Sequence, residues 1–172
     1  MRVKLHIATA DDIADLVALR IAVNQHLTAQ YGKGYWSGGV TEKGVLSAMR
    51  NSAVYVARYR NRLIATLTLC TKKPWAIDIA YFTPATKPLY LTGMAVHPDF
   101  QRQGIGRLVL KEAEAAARAW PADAIRLDAF NAEAGAGGFY AKCGFREVAR
   151  VTYKRDPLIY FEMLLPPTVA NL

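Results

Sequence analysis

Residues 94–107 constrain the fold of this chain more than any other segment. A predicted strand ends at the bend formed by His97 and Pro98, and a long alanine-rich helical pattern begins at Gly104. A strand that turns directly into a helix is typical of α/β proteins. The spacing places two glycines, Gly104 and Gly106, in the first turn of the predicted helix. This segment therefore predicts an α/β fold.

The rest of the chain extends the same fold class. Runs rich in β-branched and aromatic residues predict strands, and apolar residues three and four positions apart predict helices. The predicted helices cover residues 9–27, 41–49, 104–120 and 133–142. The predicted strands cover residues 3–7, 54–59, 63–71, 76–81, 89–96, 124–130, 145–152 and 158–164. No repeat or linker separates them, so we expect one domain over residues 1–172, with a mixed sheet flanked by helices.

Composition and charge exclude several classes of protein. No run approaches the roughly 18 apolar residues of a membrane helix, and the N-terminus lacks the apolar run of a signal peptide. We therefore expect a cytoplasmic protein with no membrane partner. Cys70 and Cys143 form no C-x-x-C motif and no histidines cluster, so we expect reduced thiols and no metal. The net charge is +8, but the basic residues are scattered, which argues against a nucleic-acid partner.

The turn that opens the long helix is a candidate anion site. The first N–H groups of a helix have no intrahelical partner and lie at the positive end of its dipole. Glycines there let phosphate oxygens approach the backbone, and Arg102 and Arg107 supply positive charge. Two other phosphate motifs are excluded, because position 109 is Val109 rather than glycine and Gly106 is followed by Arg107 rather than lysine. An ordinary strand–helix turn is equally compatible with this spacing.

Two blocks of the sequence resemble one known family. Residues 101–106, Gln-Arg-Gln-Gly-Ile-Gly, match the (Gln/Arg)-x-x-Gly-x-(Gly/Ala) signature of the GNAT superfamily of acetyl-CoA-dependent N-acetyltransferases, and residues 94–98 resemble the strand and bend before it. Residues 127–131 and 139–145 resemble the family's strand–Asn–helix–Tyr–Gly-Phe segment. Both blocks lie in the second half of the chain. The first half agrees only in the order and length of its elements.

The resemblance implies a GNAT-like fold in which two central strands, residues 89–96 and 125–130 here, splay apart to admit acetyl-CoA. It implies an acetyl-CoA-dependent N-acetyltransferase that uses the thioester as co-substrate and needs no metal. Tyr140 would be the general acid that protonates the departing CoA thiolate. The residues implied to bind acetyl-CoA are Met94, Ala95, Val96, Gln101, Arg102, Gln103, Gly104, Ile105, Gly106, Arg107 and Asn131.

The general base and the acceptor stay open. Residues 89–96 lack the glutamate that some family members carry there, which leaves Asp78, Asp128, Glu133, His97 or a water chain. The acceptor is expected to be a small-molecule or protein amine, and the protein a monomer or homodimer. The alternative function is a catalytically silent CoA-binding sensor or regulatory module. Six aromatic residues predict either an acceptor pocket or a sheltered core edge: Tyr31, Tyr35, Trp36, Trp75, Tyr81 and Phe82.

Several site candidates also have purely structural interpretations. Tyr140, next to Phe139 on a short predicted helix, would simply pack against the core. Asn131 would cap that helix, and Glu133 would lie in its first turn, where the dipole favours a carboxylate. His97 would have a solvated or capping role at its bend.

Overall fold

The computed structural model describes residues 3–167. Within that range the strands are β1 (Leu5–Ile7), β2 (Ala53–Tyr59), β3 (Arg62–Cys70), β4 (Pro88–Val96), β5 (Ala124–Phe130), β6 (Arg146–Tyr153) and β7 (Asp156–Leu164). The α-helices there are α1 (Ile13–Tyr31), α2 (Glu42–Asn51), α3 (Ile105–Ala119) and α4 (Gly137–Lys142). The strands form one sheet in the order β1-β2-β3-β4-β5-β7-β6. Because β4 and β5 run parallel while β5 and β7 run antiparallel, the sheet is mixed, and the predicted fold class is confirmed.

The chain forms two compact units. The first contains the described residues up to Cys70 together with Thr92–Ala113, and the second contains Thr71–Leu91 and the described residues from Glu114 onward. The division passes through β4 and through α3, so both elements contribute to both units. The expectation of one domain over residues 1–172 stays a prediction.

The first unit packs α1 and α2 against β2 and β3. Its core consists of Ala8, Leu16, Leu19, Val45, Val54, Val56 and Leu63. The hydroxyl of Thr41 caps α2 by accepting a hydrogen bond from the Gly44 N–H at 3.1 Å, so residue 41, where the predicted helix begins, is its N-cap. The strands predicted at residues 54–59 and 63–71 pair as an antiparallel hairpin, β2 with β3. Its two loop residues, Arg60 (φ 47°) and Asn61 (φ 65°), are both left-handed, the conformation that a two-residue type I′ turn requires.

The second unit is built on the antiparallel ladder of β5, β7 and β6. Ile125, Leu127 and Phe161 are each about 1% exposed, so the β5–β7 pair forms its core. The parallel register pairs Pro88–Tyr90 of β4 with Ala124–Arg126 of β5. The splay of these two strands beyond that register stays a prediction.

Three predicted elements are wrong in type or in bounds. The helix predicted over residues 9–27 ends four residues later, since α1 covers Ile13–Tyr31 after a short 3-10 turn at Ala10–Asp12. Residues 76–81 do not form a strand, because the Asp78 side chain accepts a hydrogen bond from the Ala80 N–H at 3.0 Å and caps a short 3-10 turn at Ile79–Tyr81. The predicted helix 133–142 covers only Gly137–Lys142. Its first residues instead form a tight loop, in which the Gly135 N–H donates to the Ala132 carbonyl at 2.8 Å.

Candidate functional site

A bend after β4 leads into the predicted anion-binding turn. His97 caps the short 3-10 turn Pro98–Phe100, since its Nδ1 accepts a hydrogen bond from the Asp99 N–H at 3.2 Å. Arg62 ties the bend to β3 by donating to Asp99 Oδ2 at 2.7 Å, with its guanidinium also 3.0 Å from His97 Nε2. The capping interpretation of His97 is therefore confirmed.

The turn itself has an open, strained backbone. Arg102 (φ 59°) and Gly104 (φ 79°) are both left-handed. A Cβ at Gly104 would meet nothing within 4 Å, so glycine is needed here for its positive φ rather than for close packing. The space beside it is open to a ligand. Because α3 begins at Ile105, only Gly106 lies in its first turn, and the prediction that both glycines lie there is wrong.

The side chains of the turn mainly hold its shape. Gln101 Nε2 donates to the Val96 carbonyl at 3.0 Å, and Gln103 Nε2 donates to the Asp99 carbonyl at 2.9 Å. Ile105 is 1% exposed and packs into the core. Gln103 and Ile105 can therefore bind a ligand through their backbone N–H groups. The exposed side chains of Arg102 and Arg107 can also contribute positive charge.

The end of β4 carries a feature that the sequence analysis missed. Gly93 (φ 57°) is left-handed inside the strand, directly before the predicted pantetheine-binding residues Met94, Ala95 and Val96. Its carbonyl accepts a hydrogen bond from Arg20 Nη2 at 3.4 Å. A left-handed residue inside a strand re-aims the backbone that follows it, as a β-bulge does. A glycine inside a predicted strand is the signal that would have revealed this.

Tyr140 lies on α4 in the second unit and is 8% exposed. Its ring meets those of Phe139, Phe145 and Phe161 edge-on or tilted, with centroids 5.4, 5.7 and 6.0 Å away. The packing interpretation of this ring is correct. Its role as general acid stays a prediction.

Asn131 follows β5 and starts the loop to α4. Its N–H donates to the Pro157 carbonyl at 2.8 Å. The interpretation of Asn131 as a helix cap is wrong, because Ala136 holds the N-cap position of α4. Glu133 likewise lies in the exposed loop rather than in the first turn of a helix. The loop is fixed by Gly135, where a Cβ would lie 1.7 Å from the Phe130 carbonyl oxygen.

Asp128 differs electrostatically from the other candidate bases. Burial raises the pKa of Asp128, which keeps its carboxyl group closer to a working range for proton transfer. By contrast, burial and the neighbouring Arg62 lower the pKa of His97. Asp128 faces Tyr160 across the β5–β7 register, and the Tyr160 hydroxyl accepts from the Asp78 N–H at 3.2 Å and donates to the Ala76 carbonyl.

Each unit contains a cavity of ligand size. One cavity of the first unit has a volume of about 430 Å³, and its polar lining is Arg20, Thr41, Ser52, Thr68 and Thr92. Another, of about 690 Å³, is lined by residues between Ile21 and Val40. The cavity of the second unit has a volume of about 460 Å³, and its lining includes Lys73, Trp75, Asp78, Tyr81, Tyr153 and Tyr160. All three volumes fall in the range of small-molecule sites.

The six predicted aromatic residues divide between the two units. In the first, Trp36 packs edge-on against Tyr31 and Tyr35, with ring centroids 6.5 and 5.4 Å away. In the second, Trp75 and Tyr81 line the cavity. Phe82 belongs to the core, since it is 6% exposed and stacks on Tyr160 at 5.3 Å. The aromatic residues therefore serve partly as cavity wall and partly as packing.

Two further features bear on the possible chemistry. Among residues 3–167, no three His, Cys, Asp or Glu side chains come close enough to hold a metal ion. No helix in the same range has the length and apolar character needed to cross a bilayer.

Comparison with known protein families assigns the chain to one of them. The family model described as the acetyltransferase (GNAT) family matches residues 21–145, which is most of the chain. The chain belongs to the GNAT family. The matched residues include the Gln101–Gly106 signature, Asn131 and Tyr140.

Solved structures show the same fold as this GNAT chain. The ribosomal-protein-S18-alanine N-acetyltransferase of Escherichia coli has 16% identity and a TM-score of 0.68, with 98% of this chain and 96% of that one covered. A GNAT family acetyltransferase of Elizabethkingia anophelis with acetyl-CoA bound has 19% identity and a TM-score of 0.60, with 95% and 99% covered. The PaiA N-acetyltransferase of Thermoplasma acidophilum in complex with coenzyme A has 17% identity and a TM-score of 0.70, with 93% and 98% covered. The search of curated proteins found no match.

The predicted site residues of this GNAT chain belong to both units. Met94, Ala95 and Val96 and the residues from Gln101 to Arg107 lie in the first unit, where they are close in sequence and joined by the Gln101–Val96 hydrogen bond. Asn131 and Tyr140 lie in the second unit.

Proposed function

We propose that this GNAT protein transfers the acetyl group of acetyl-CoA to a primary amine, by direct attack of the amine in a ternary complex. The observation that carries the proposal is the turn between β4 and α3. It combines a left-handed Gly104 beside open space, the unpaired N–H groups of a helix start and two exposed arginines. A diphosphate group is the anion that such a turn suits. The bound acetyl-CoA and coenzyme A in two of the similar structures support this choice.

The binding roles follow from the backbone. The N–H groups at the turn and at the start of α3 would bind the pyrophosphate, with Arg102 and Arg107 adding charge-assisted contacts. The backbone of Met94, Ala95 and Val96 would pair with the pantetheine arm as an added strand does. Asn131 would contact the arm as well.

The reaction needs one new bond and one broken bond. Acetyl-CoA supplies an activated thioester, whose carbonyl carbon forms a bond to the amine nitrogen while its bond to sulfur breaks. A backbone N–H near Met94 or Ala95 would stabilise the negative charge that develops on the carbonyl oxygen. The Tyr140 hydroxyl would donate a proton to the departing sulfur. Holding both reactants in one site lowers the entropic barrier.

The incoming amine must lose a proton before or during its attack. We propose that Asp128 accepts this proton, since burial raises the pKa of its carboxyl group and so makes the carboxylate a stronger base. A water chain to solvent is the alternative acceptor.

The experiment that tests the proposal compares Tyr140→Phe with wild type. We expect kcat for thiol release to fall about 10²-fold or more, because a general acid contributes about that much, while the Kd for acetyl-CoA stays unchanged. Tyr55→Phe is the matched control, since it removes a tyrosine hydroxyl from β2. An unchanged kcat in Tyr140→Phe removes this residue from the mechanism. Acetyl-CoA binding without thiol release for any amine would support the silent sensor instead.

A further inference from the structure

Arg20 is a partly buried cation without a carboxylate partner among residues 3–167. Its polar contact is the Gly93 carbonyl, 3.4 Å from Nη2. Arg58, by comparison, pairs with Asp12 and Asp15 at 2.7 Å, and Arg62 pairs with Asp99 at 2.7 Å. Burial lowers the pKa of Arg20, as expected for a guanidinium that is partly removed from solvent and has no ion pair among the described residues.

The surroundings of Arg20 favour an anion. Arg20 lines the 430 Å³ cavity of the first unit, and no Asp or Glu is among the lining residues. The hydroxyl groups of Thr41, Ser52, Thr68 and Thr92 add hydrogen-bonding capacity to the wall. Thr41 is also the N cap of α2, a helix of ten residues, so the positive end of that helix dipole lies at the same wall.

The cavity adjoins the segment that the proposed function assigns to acetyl-CoA. Thr92 and Gly93 line it, and they directly precede Met94, Ala95 and Val96 on β4. The Arg20–Gly93 hydrogen bond places the guanidinium beside this strand. A small molecule held here by Arg20 would therefore lie next to the backbone proposed to bind the thioester arm.

We infer that the acceptor is a small-molecule amine that carries a carboxylate, and that Arg20 binds this carboxylate in the 430 Å³ cavity of the first unit. The inference rests on the proposed function and names its substrate class. The planar guanidinium matches a carboxylate through two parallel hydrogen bonds. The cavity volume suits an amino acid or another small amino acid-like compound. Polycationic acceptors such as polyamines are disfavoured, because Arg20 repels them.

The test uses matched sets of acceptors with the full-length protein. Each L-amino acid is compared with its carboxamide and with the amine that lacks the carboxyl group, and kcat/KM is measured by thiol release from acetyl-CoA. We expect wild type to prefer the carboxylate member of the best set by about tenfold or more, the usual scale of a charged hydrogen bond. Arg20→Gln should abolish that preference, and Arg20→Lys should restore part of it. Arg50→Gln, on the exposed end of α2, is the control and should keep it.

The readouts separate this inference from the function on which it rests. The carboxylate preference is first measured on the wild-type protein, so the inference can be tested even if Arg20→Gln folds poorly. Three results would overturn the inference while acetyl transfer stands. They are equally efficient acetylation of the acids and of their carboxamides or simple amines, acetylation of peptides alone, and a carboxylate preference that persists in a folded Arg20→Gln. Absence of both acetyl-CoA binding and thiol release would overturn the proposed function and this inference with it. The Kd of acetyl-CoA should be equal in wild type and Arg20→Gln.

Discussion

The loop between β5 and α4 should tolerate no side chain at Gly135. A Cβ added there would lie 1.7 Å from the Phe130 carbonyl oxygen and 3.1 Å from the Ala132 carbonyl oxygen. Ordinary carbon–oxygen contacts are about 3.3 Å or longer, so Gly135→Ala must move the loop or the end of β5 by about 1.6 Å.

The expected cost follows from what this movement breaks. The Gly135 N–H donates to the Ala132 carbonyl at 2.8 Å, and losing that bond costs about 0.5–1.5 kcal/mol. Backbone strain adds about 1–3 kcal/mol. We therefore expect Gly135→Ala to lower the free energy of unfolding by about 2–4 kcal/mol. Because the loop starts at Asn131, we also expect a higher KM for acetyl-CoA.

Gly138→Ala provides a matched control three residues away. Gly138 lies on α4, and a Cβ there would meet nothing within 4 Å. Alanine should raise the free energy of unfolding by about 0.4–1 kcal/mol, because it reduces the entropy of the unfolded chain. Urea unfolding followed by circular dichroism gives both values. Equal stability of Gly135→Ala and wild type would refute the steric argument.

Two further predictions concern carboxylates that folding removes from water, the partly buried Asp128 and the buried Glu162. Burial raises the pKa of Asp128, so ionisation of its carboxyl group lowers the stability of the folded protein as pH rises through that pKa. Asp128→Asn should therefore be more stable to urea than wild type at pH 7, and the difference in stability should disappear below about pH 4. The same variant should lose acetyl transfer. Equal urea midpoints at pH 7 would contradict the burial argument. Burial alone would raise the pKa of Glu162, but hydrogen bonds from Thr83 and the ion pair with Arg146 outweigh burial and lower it. The carboxylate of Glu162 therefore stabilises the fold at pH values above its ordinary pKa, and this stabilisation is lost as pH falls through the lowered pKa. Glu162→Gln should lower the free energy of unfolding by about 1.5–3 kcal/mol at pH 7 in the same urea assay, and by progressively less below about pH 4. A loss of stability that does not depend on pH would exclude the charge of Glu162 as its cause.

Local patterns predicted the elements whose causes are local. β5 has the same bounds, residues 124–130, in the sequence prediction and in the structure. The hairpin loop at Arg60 and Asn61 and the cap at Thr41 were also predictable, because each depends on residues within a few positions. The strand–turn–helix of residues 94–107 belongs to this group, which is why the family was identifiable from sequence.

Features set by distant contacts were not predictable. Residues 76–81 have the composition of a strand, but the Asp78 N–H bonds to the Tyr160 hydroxyl, 82 positions away, and the Asp78 side chain caps a turn. Arg20 was not singled out, because its setting depends on Gly93, 73 positions later. The pKa of Asp128 likewise depends on its burial in the folded chain.

Calorimetric titration with acetyl-CoA shows whether the cofactor binds at the turn between β4 and α3, as we propose. Gly104→Asp places a negative charge at the proposed pyrophosphate site. Gly32→Asp is the control, since Gly32 (φ 77°) and Gly104 (φ 79°) have nearly the same φ and both lack neighbours within 4 Å of a Cβ. Both variants place a side chain at a positive φ, so circular dichroism first checks that each is folded. We expect micromolar binding to wild type and Gly32→Asp, and binding at least about tenfold weaker to Gly104→Asp. Equal affinity in all three proteins, or no binding to wild type, would contradict this proposal.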